Sequence, residues 1–362
     1  MTHTIYAPGR VNLIGEHIDY HNLPVLPMAL ERSIRVSFEL RGDARIRVTS
    51  ATYGHREFTW TAGLTPVARG DWENYLRAAA QAISGKWGVM CGIDAQIESD
   101  LPAAAGLSSS SALIVAVTLA ILRANGREAS FDELMEILPD GEQFVGTRGG
   151  GMDHAASLAS RAGHASLIGF VPLSIEHVPI PPGWAFLVAN SLHSAEKSGA
   201  VRELYNAVRT AGNEALRETG FPSYLEAIEG STEEELSTLA AARGLPPAFL
   251  HVVTEAFRVR HAADAMRGND AARFGELLLA SHASLRDRLH VSCPALDRLV
   301  DAAMESGALG ARLTGAGFGG CAVIFCRRED LDRVRDGLAQ RFYSGADGHI
   351  IIAEAGRGAL HS

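Results

Sequence analysis

The chain is short of cysteine, with four in 362 residues (Cys91, Cys293, Cys321 and Cys326), and none are paired at a zinc-binding spacing. Reduced thiols in a cytoplasmic protein are the expectation, and Cys321 and Cys326 straddle an apolar run where buried thiols are common. Basic excess is missing too: 33 Lys and Arg stand against 42 Asp and Glu, a formal net charge of −9. A general nucleic-acid binder needs a basic surface to offset phosphate charge, so nucleic acid is not an expected partner. No apolar run has the length of a membrane-spanning helix, and Met1-Thr-His-Thr lacks the parts of a signal peptide, so no membrane partner is expected. What remains is a composition of 47% hydrophobic and 21% charged residues, that of a globular chain long enough for two domains. Oligomeric state is not readable.

Short strands dominate the first part. Alternation marks Ser33 to Leu40, Arg45 to Ser50 and Glu57 to Trp60 as strands of an antiparallel sheet, with turns before them. Asp71 to Lys86 reads as a helix, Ile93 to Glu98 as a strand, and Phe131 to Leu138 as a helix broken by Pro139-Asp140-Gly141. After strands at Ala165 to Ile168 and Ala185 to Asn190 the character changes to long helices, Arg202 to Arg243, Pro247 to Met266, Ala271 to Leu279 and Ala295 to Ser306. Strands at Gly310 to Thr314, Ala322 to Cys326 and His349 to Ala353 enclose a charged helix, Arg328 to Phe342. The expected class is α+β, with domains 1–180 and 181–362 meeting near the proline-rich Pro179 to Gly183.

Three segments carry chemistry. In Leu101-Pro-Ala-Ala-Ala-Gly-Leu-Ser-Ser-Ser-Ser-Ala-Leu113 a glycine- and serine-rich turn runs into a helix marked by Leu113, Val117, Ala120 and Ile121. A helix opening in such a turn offers unpaired N–H groups and the positive end of its dipole. Small side chains let an anion approach, and the hydroxyls can reach phosphate oxygens or a magnesium ion, which points to a nucleotide phosphate site. Taken alone, the segment reads first as an ordinary serine-capped helix. The second segment, Ala7-Pro-Gly-Arg-Val-Asn-Leu-Ile-Gly-Glu-His-Ile-Asp-Tyr20, packs Arg10, Asn12, Glu16, His17 and Asp19 around two glycines, a donor and acceptor set suited to a polyol. The third, Leu313-Thr-Gly-Ala-Gly-Phe-Gly-Gly-Cys321, allows close backbone approach and equally fits a tight hairpin.

Together and in this order, the three segments resemble those of the GHMP kinases, and Gly9 to Tyr20 resembles the galactokinase signature. The resemblance extends through Gly150-Gly-Met-Asp153 and Ser281 to Asp287. It implies a two-domain fold with ATP and a small sugar in the cleft between the domains, and phosphoryl transfer to the sugar C1 hydroxyl with Mg2+ as cofactor. By match to the family's motifs, Asp153 is the catalytic base and Arg10 stabilises developing charge. Phosphoryl transfer asks mainly for positioning and charge neutralisation, with a carboxylate to take the nucleophile's proton. Glu16, His17, Asp19, Gly150 and Asp153 match sugar-contacting positions. Gly106, Leu107, Ser108, Ser109, Ser110 and Ser111 match the phosphate loop, which the third motif is expected to brace. Ser109 matches a magnesium ligand; Glu142 is the further metal candidate, on a helix that Pro139 and Gly141 are expected to interrupt. Trp72, Asn74 and Tyr75 resemble a stretch near the base pocket and fit helix packing equally well.

Four departures bear on the sugar. Ile18 stands where threonine is common, a fourth serine, Ser111, lengthens the loop, and Gly150-Gly-Met-Asp-His154 replaces the usual Gly-Ile-Met-Asp-Gln. These resemble the N-acetylgalactosamine kinases, which makes that sugar the alternative substrate. The fourth is the sugar-lining tyrosine, whose nearest match, Ser198-Gly-Ala200, has no ring. His154 is expected to point away from the site on a helix's first turn. A non-catalytic sugar and ATP sensor is the alternative of another class, and the complete Leu107 to Ala112 segment with Arg10 and Asp153 argues against it.

Overall fold

A computed structural model describes residues 2–361, apart from 103–105, 147–148, 194–198 and 346–348, and apart from the side chains of 142, 143 and 199–202. The chain opens with strands β1 (His3–Ile14), β2 (Leu26–Leu40), β3 (Arg45–Ser50) and β4 (Gly54–Thr59). Helix α1 (Glu73–Trp87), strand β5 (Ile93–Ser99) and helices α2 (Ser109–Ala124), α3 (Phe131–Phe144) and α4 (Met152–Ala159) follow. The middle runs through β6 (His164–Phe170), β7 (Leu173–Pro179), β8 (Trp184–Asn190), α5 (Gly199–Arg217), α6 (Tyr224–Gly230) and α7 (Glu233–Arg243). It ends with α8 (Pro247–Arg267), α9 (Ala271–Asp287), α10 (Pro294–Glu305), β9 (Gly310–Thr314), β10 (Cys321–Arg327), α11 (Leu331–Tyr343) and β11 (Ile350–Ala353).

Two larger sheets organise these elements, and β6 and β7 pair as a separate antiparallel hairpin. The first has the order β1-β2-β5-β3-β4 and is antiparallel except where β3 runs parallel to β5. The second, β11-β8-β10-β9, is antiparallel throughout. Helix α2 lies against β1 and β2 and is buried from Ser111 to Leu122 except at Leu119, which explains its almost wholly apolar sequence. Among the described residues no helix is long and apolar enough to cross a membrane.

Several elements depart from the sequence expectation. Residues 3–14, read as short apolar runs and turns, form one 12-residue strand. From Ala7 onward that strand is buried at every position, so it carries no alternation to read. Helix α2 starts at Ser109, ahead of the apolar residues that mark it in the sequence, which puts three of the four serines in its first turn. Helix α3 continues through Pro139 to Phe144. Packing overrides the local cost of proline here, since α3 lies along α1 and Gly141 sits against Ala78 and Ile114. The expected helix Arg202 to Arg243 is three helices, with Ser223 capping α6 and a Thr232–Glu235 capping box opening α7.

Candidate active site

Strand β1 is pressed against the serine turn. A β-carbon at Gly9 would lie 2.5 Å from Leu101 Cδ2 and 2.7 Å from the Leu107 carbonyl oxygen, so the close approach needs glycine. The pairing of β1 with β2 shifts register between Pro8 and Arg10, and the Arg10 N–H donates to the Leu107 carbonyl at 3.1 Å. That fixes the direction of Arg10. Its Nη1 donates to the Gly106 carbonyl at 2.8 Å, while Nε and Nη2 reach Asp153 Oδ1 at 2.7 and 2.6 Å.

Asp153 stands in the first turn of α4, where the helix dipole favours a negative charge. Its Oδ2 accepts a hydrogen bond from the Ser108 hydroxyl, and Ser111 Oγ lies 3.5 Å away. Burial works against ionisation of this carboxyl, but the Arg10 charge and the Ser108 hydrogen bond outweigh it and hold the pKa below the usual aspartate value. The side chain keeps 22% of its surface exposed, against 6% for Arg10, so the ionised carboxylate remains within reach of a ligand.

A second carboxylate, Asp19, lies in the short turn Asp19–His21 and accepts the Gly150 N–H at 3.0 Å. Burial pushes its pKa up to about 7, and the nearby Asp153 and Glu16 carboxylates add to the rise. Two acidic groups in one site are therefore tuned in opposite directions.

Glu16 and His17 turn towards the third glycine segment. Glu16 Oε1 accepts from Thr314 Oγ1 at 3.1 Å and from the Gly315 N–H at 2.5 Å, and Oε2 accepts from Asn12 at 2.8 Å. His17 pairs its Nδ1 with the Tyr20 hydroxyl at 2.7 Å and its Nε2 with the Ala316 carbonyl at 3.1 Å. Burial pushes the His17 pKa down to about 3, so the ring is neutral. The same glycine segment abuts the serine turn, with Gly106 and Gly315 facing each other across the two backbones.

The structure thus brings Arg10, Gly106, Leu107, Ser108, Ser111 and Asp153 together, with Asp19 and Gly150 beside them. Ser109 and Ser110 occupy the first turn of α2. Glu142 lies on α3, and its side chain is outside the described residues, as are Ser198 and the side chain of Ala200. His154 is fully buried, with no hydrogen-bond partner for either ring nitrogen among the described residues. Trp72 and Asn74 hold neighbouring backbone, the first through the Tyr53 carbonyl and the second through Val67 and Ala68.

Several residues escaped the sequence reading. Tyr205 on α5 sets its ring 5.3 Å from His17 and 5.6 Å from Tyr20, and Arg209, one helical turn on, lies over Tyr20. The spacing of Tyr205 and Arg209, four apart on one helix face, was the available signal. Arg312 is fully buried and donates to the Asn12 and Leu13 carbonyls at 3.1 Å. For Arg312 the hint was a charge inside an apolar strand. Glu255 accepts the Gly15 N–H at 3.0 Å.

Comparison with known proteins defines the class first. Residues 74–161 match the GHMP kinases N terminal domain, and residues 262–344 match the GHMP kinases C terminal model. Residues 2–39 match the galactokinase galactose-binding signature. The galactokinase of Roseiflexus sp. (strain RS-1) is 37% identical over 98% of this chain and 91% of its own length. That of Chloroflexus aurantiacus is 37% identical over 97% and 91%. The crystal structure of Lactococcus lactis galactokinase complexed with galactose has a TM-score of 0.89 at 26% identity, covering 99% of this chain and 94% of that one. A mevalonate kinase shares the fold, with a TM-score of 0.67 at 17% identity over 97% and 98% of the two chains. The chain belongs to the galactokinase family of the GHMP kinases.

Proposed function

We propose that this chain transfers the γ-phosphoryl group of ATP to the C1 hydroxyl of galactose, working in the cytoplasm. The observation that carries the site assignment is the Arg10–Asp153 pair, an ionised and accessible carboxylate held beside the serine turn. Family membership and the matched signature support the sugar. In this reading residues 1–180 supply the base and phosphate loop, and residues 181–362 the bracing glycine segment.

Asp153 takes the C1 hydroxyl proton as the sugar oxygen bonds to the γ-phosphorus and the bond from that phosphorus to the β–γ bridging oxygen breaks, releasing ADP. Arg10 offsets the charge developing around this exchange. Gly106 and the serines at the start of α2 receive phosphate oxygens. Asp19, Gly150 and Tyr205 contact the sugar, with Glu16 and His17 supporting that wall from behind. The hydroxyl of Ser109 and the carboxylate of Glu142 would supply hard oxygen donors of the kind magnesium takes. Bound there, Mg2+ would neutralise phosphate charge.

Purified protein with Mg-ATP and a panel of galactose, N-acetylgalactosamine, glucose, galacturonate, glucuronate and arabinose tests the reading. Phosphorus NMR is expected to show galactose 1-phosphate formed well ahead of the rest. Preference for N-acetylgalactosamine would change the sugar; binding without turnover would make the chain a sensor.

A further inference from the structure

Ser108 belongs to the serine turn by sequence but not by its contacts. It occupies the position preceding α2, where a serine side chain ordinarily accepts a backbone N–H of the first turn. Ser108 makes no such bond. Its backbone sits at φ 54 and ψ 40, the left-handed region that side-chain-bearing residues seldom adopt. The hydroxyl instead donates to Asp153 Oδ2. Arg10 meanwhile holds Oδ1 and grips the Gly106 and Leu107 carbonyls, so the loop and the carboxylate form one hydrogen-bonded unit.

We infer that Ser108 is a positioning residue for Asp153, fixing the carboxylate for proton transfer, and is not a phosphate ligand like the serines that follow it. The inference rests on the reading of Asp153 as the base. With Oδ1 held by a cation and Oδ2 by a hydroxyl, the plane of the carboxylate is set from both sides. A hydroxyl suits the second task because it both donates and accepts. It donates to the ionised carboxylate and can accept from the carboxyl once that has taken the sugar's proton. The unusual backbone conformation aims the side chain at α4 instead of at its own helix.

The groups acting on Asp153 are Arg10 from β1, Ser108 from the serine turn, Ser111 from α2, more distantly at 3.5 Å, and His154 from its own helix, while Asp19 faces it from the turn at residues 19–21. Removing the Ser108 hydroxyl takes away a bond that favours the ionised form, so the Asp153 pKa rises.

Two variants make the test. Ser108→Gly removes the hydroxyl and accepts the left-handed backbone; Ser108→Ala removes the hydroxyl and keeps the strain. What the two share is the effect of the hydroxyl. Both are expected to lower kcat about tenfold or more, to leave KM for ATP within about twofold, and to move the acid limb of kcat/KM for galactose to higher pH. A raised KM for ATP with an unmoved acid limb would make Ser108 a phosphate ligand and overturn the inference. Carbon-13 NMR of labelled aspartate carboxyls gives a readout that needs no turnover. Asp153 is expected to titrate at higher pH in Ser108→Gly, and an unchanged titration overturns the inference even if galactose proves not to be the substrate. Failure of the functional reading would show separately, as absence of galactose phosphorylation by the unaltered protein.

Discussion

The Gly315 N–H donates to Glu16 Oε1 at 2.5 Å across a separation of 299 positions. Around that bond, Thr314 and Asn12 also donate to Glu16, and Arg312 lies 3.8 Å from the same oxygen. The signature strand is thereby tied to the glycine segment that abuts the serine turn.

Replacing Glu16 tests this tie. Glu16→Gln keeps the shape but offers one acceptor oxygen where several donors converge, and leaves buried Arg312 with Glu255 but without the nearby negative charge of Glu16. Unfolding in urea is expected to show a loss of about 2–3 kcal/mol. Stability equal to the unaltered chain would mean that the tie contributes nothing.

Asp153→Asn separates proton transfer from binding. The amide fills the same space beside Arg10 but cannot take the sugar's proton. Turnover is expected to fall by about a hundredfold to ten-thousandfold, with ATP affinity by calorimetry within about threefold. Full turnover would remove Asp153 from the role of base.

Asp19 predicts a pH dependence of stability. Its pKa is about 7 in the folded chain against 3.8 as the ordinary value, raised by burial first and then by the neighbouring carboxylates. Between those values the folded chain keeps a proton that the unfolded chain has released, so this group lowers stability as pH rises from about 4 to about 7. Buried histidines act in the opposite sense: His17 and His21 fall to about 3 and His251 to about 4, mainly through burial, so they cost stability as pH falls below about 6.5. Asp19→Asn isolates the first effect. Without ligands, the variant is expected to gain on the unaltered chain by up to about 1.4 kcal/mol per pH unit through that window. A stability difference independent of pH would contradict this.

How much of this was legible varies from element to element. Strands β3 and β5 announce themselves because one face is buried and the other wet, so apolar and polar residues alternate. Strand β1 is buried on both faces beyond Ala7 and hides inside a segment that resembles a polar loop. Resemblance to known motifs named Arg10 and Asp153; no spacing rule could pair residues 143 positions apart, and their contact depends on β1 meeting α2 and α4. Glu16 and His17 show the limit most plainly. A cluster of polar residues around glycines gives no sign in sequence of the distant backbone it binds, here Gly315 and Ala316 about 300 positions on. Tyr205 escaped because the motif match directs attention to Ala200, more than a turn earlier on the same helix, where there is no ring.

Gly150 offers a last test, since its lack of a side chain is what lets α4 approach the turn at Asp19. A β-carbon there would overlap the backbone of Asp19 and Tyr20, and backbone cannot swing aside as a side-chain tip can. Gly150→Ala should therefore displace Asp19 relative to Asp153 and break the Gly150 N–H bond to Asp19. The expected outcome is a KM for galactose raised about tenfold or more, with a stability loss of about 1–3 kcal/mol in urea. Gly63→Ala is the control, because a β-carbon at Gly63 meets nothing within 4 Å. If both variants bind and turn over galactose like the unaltered chain, the close approach at Gly150 has no part in shaping the sugar site.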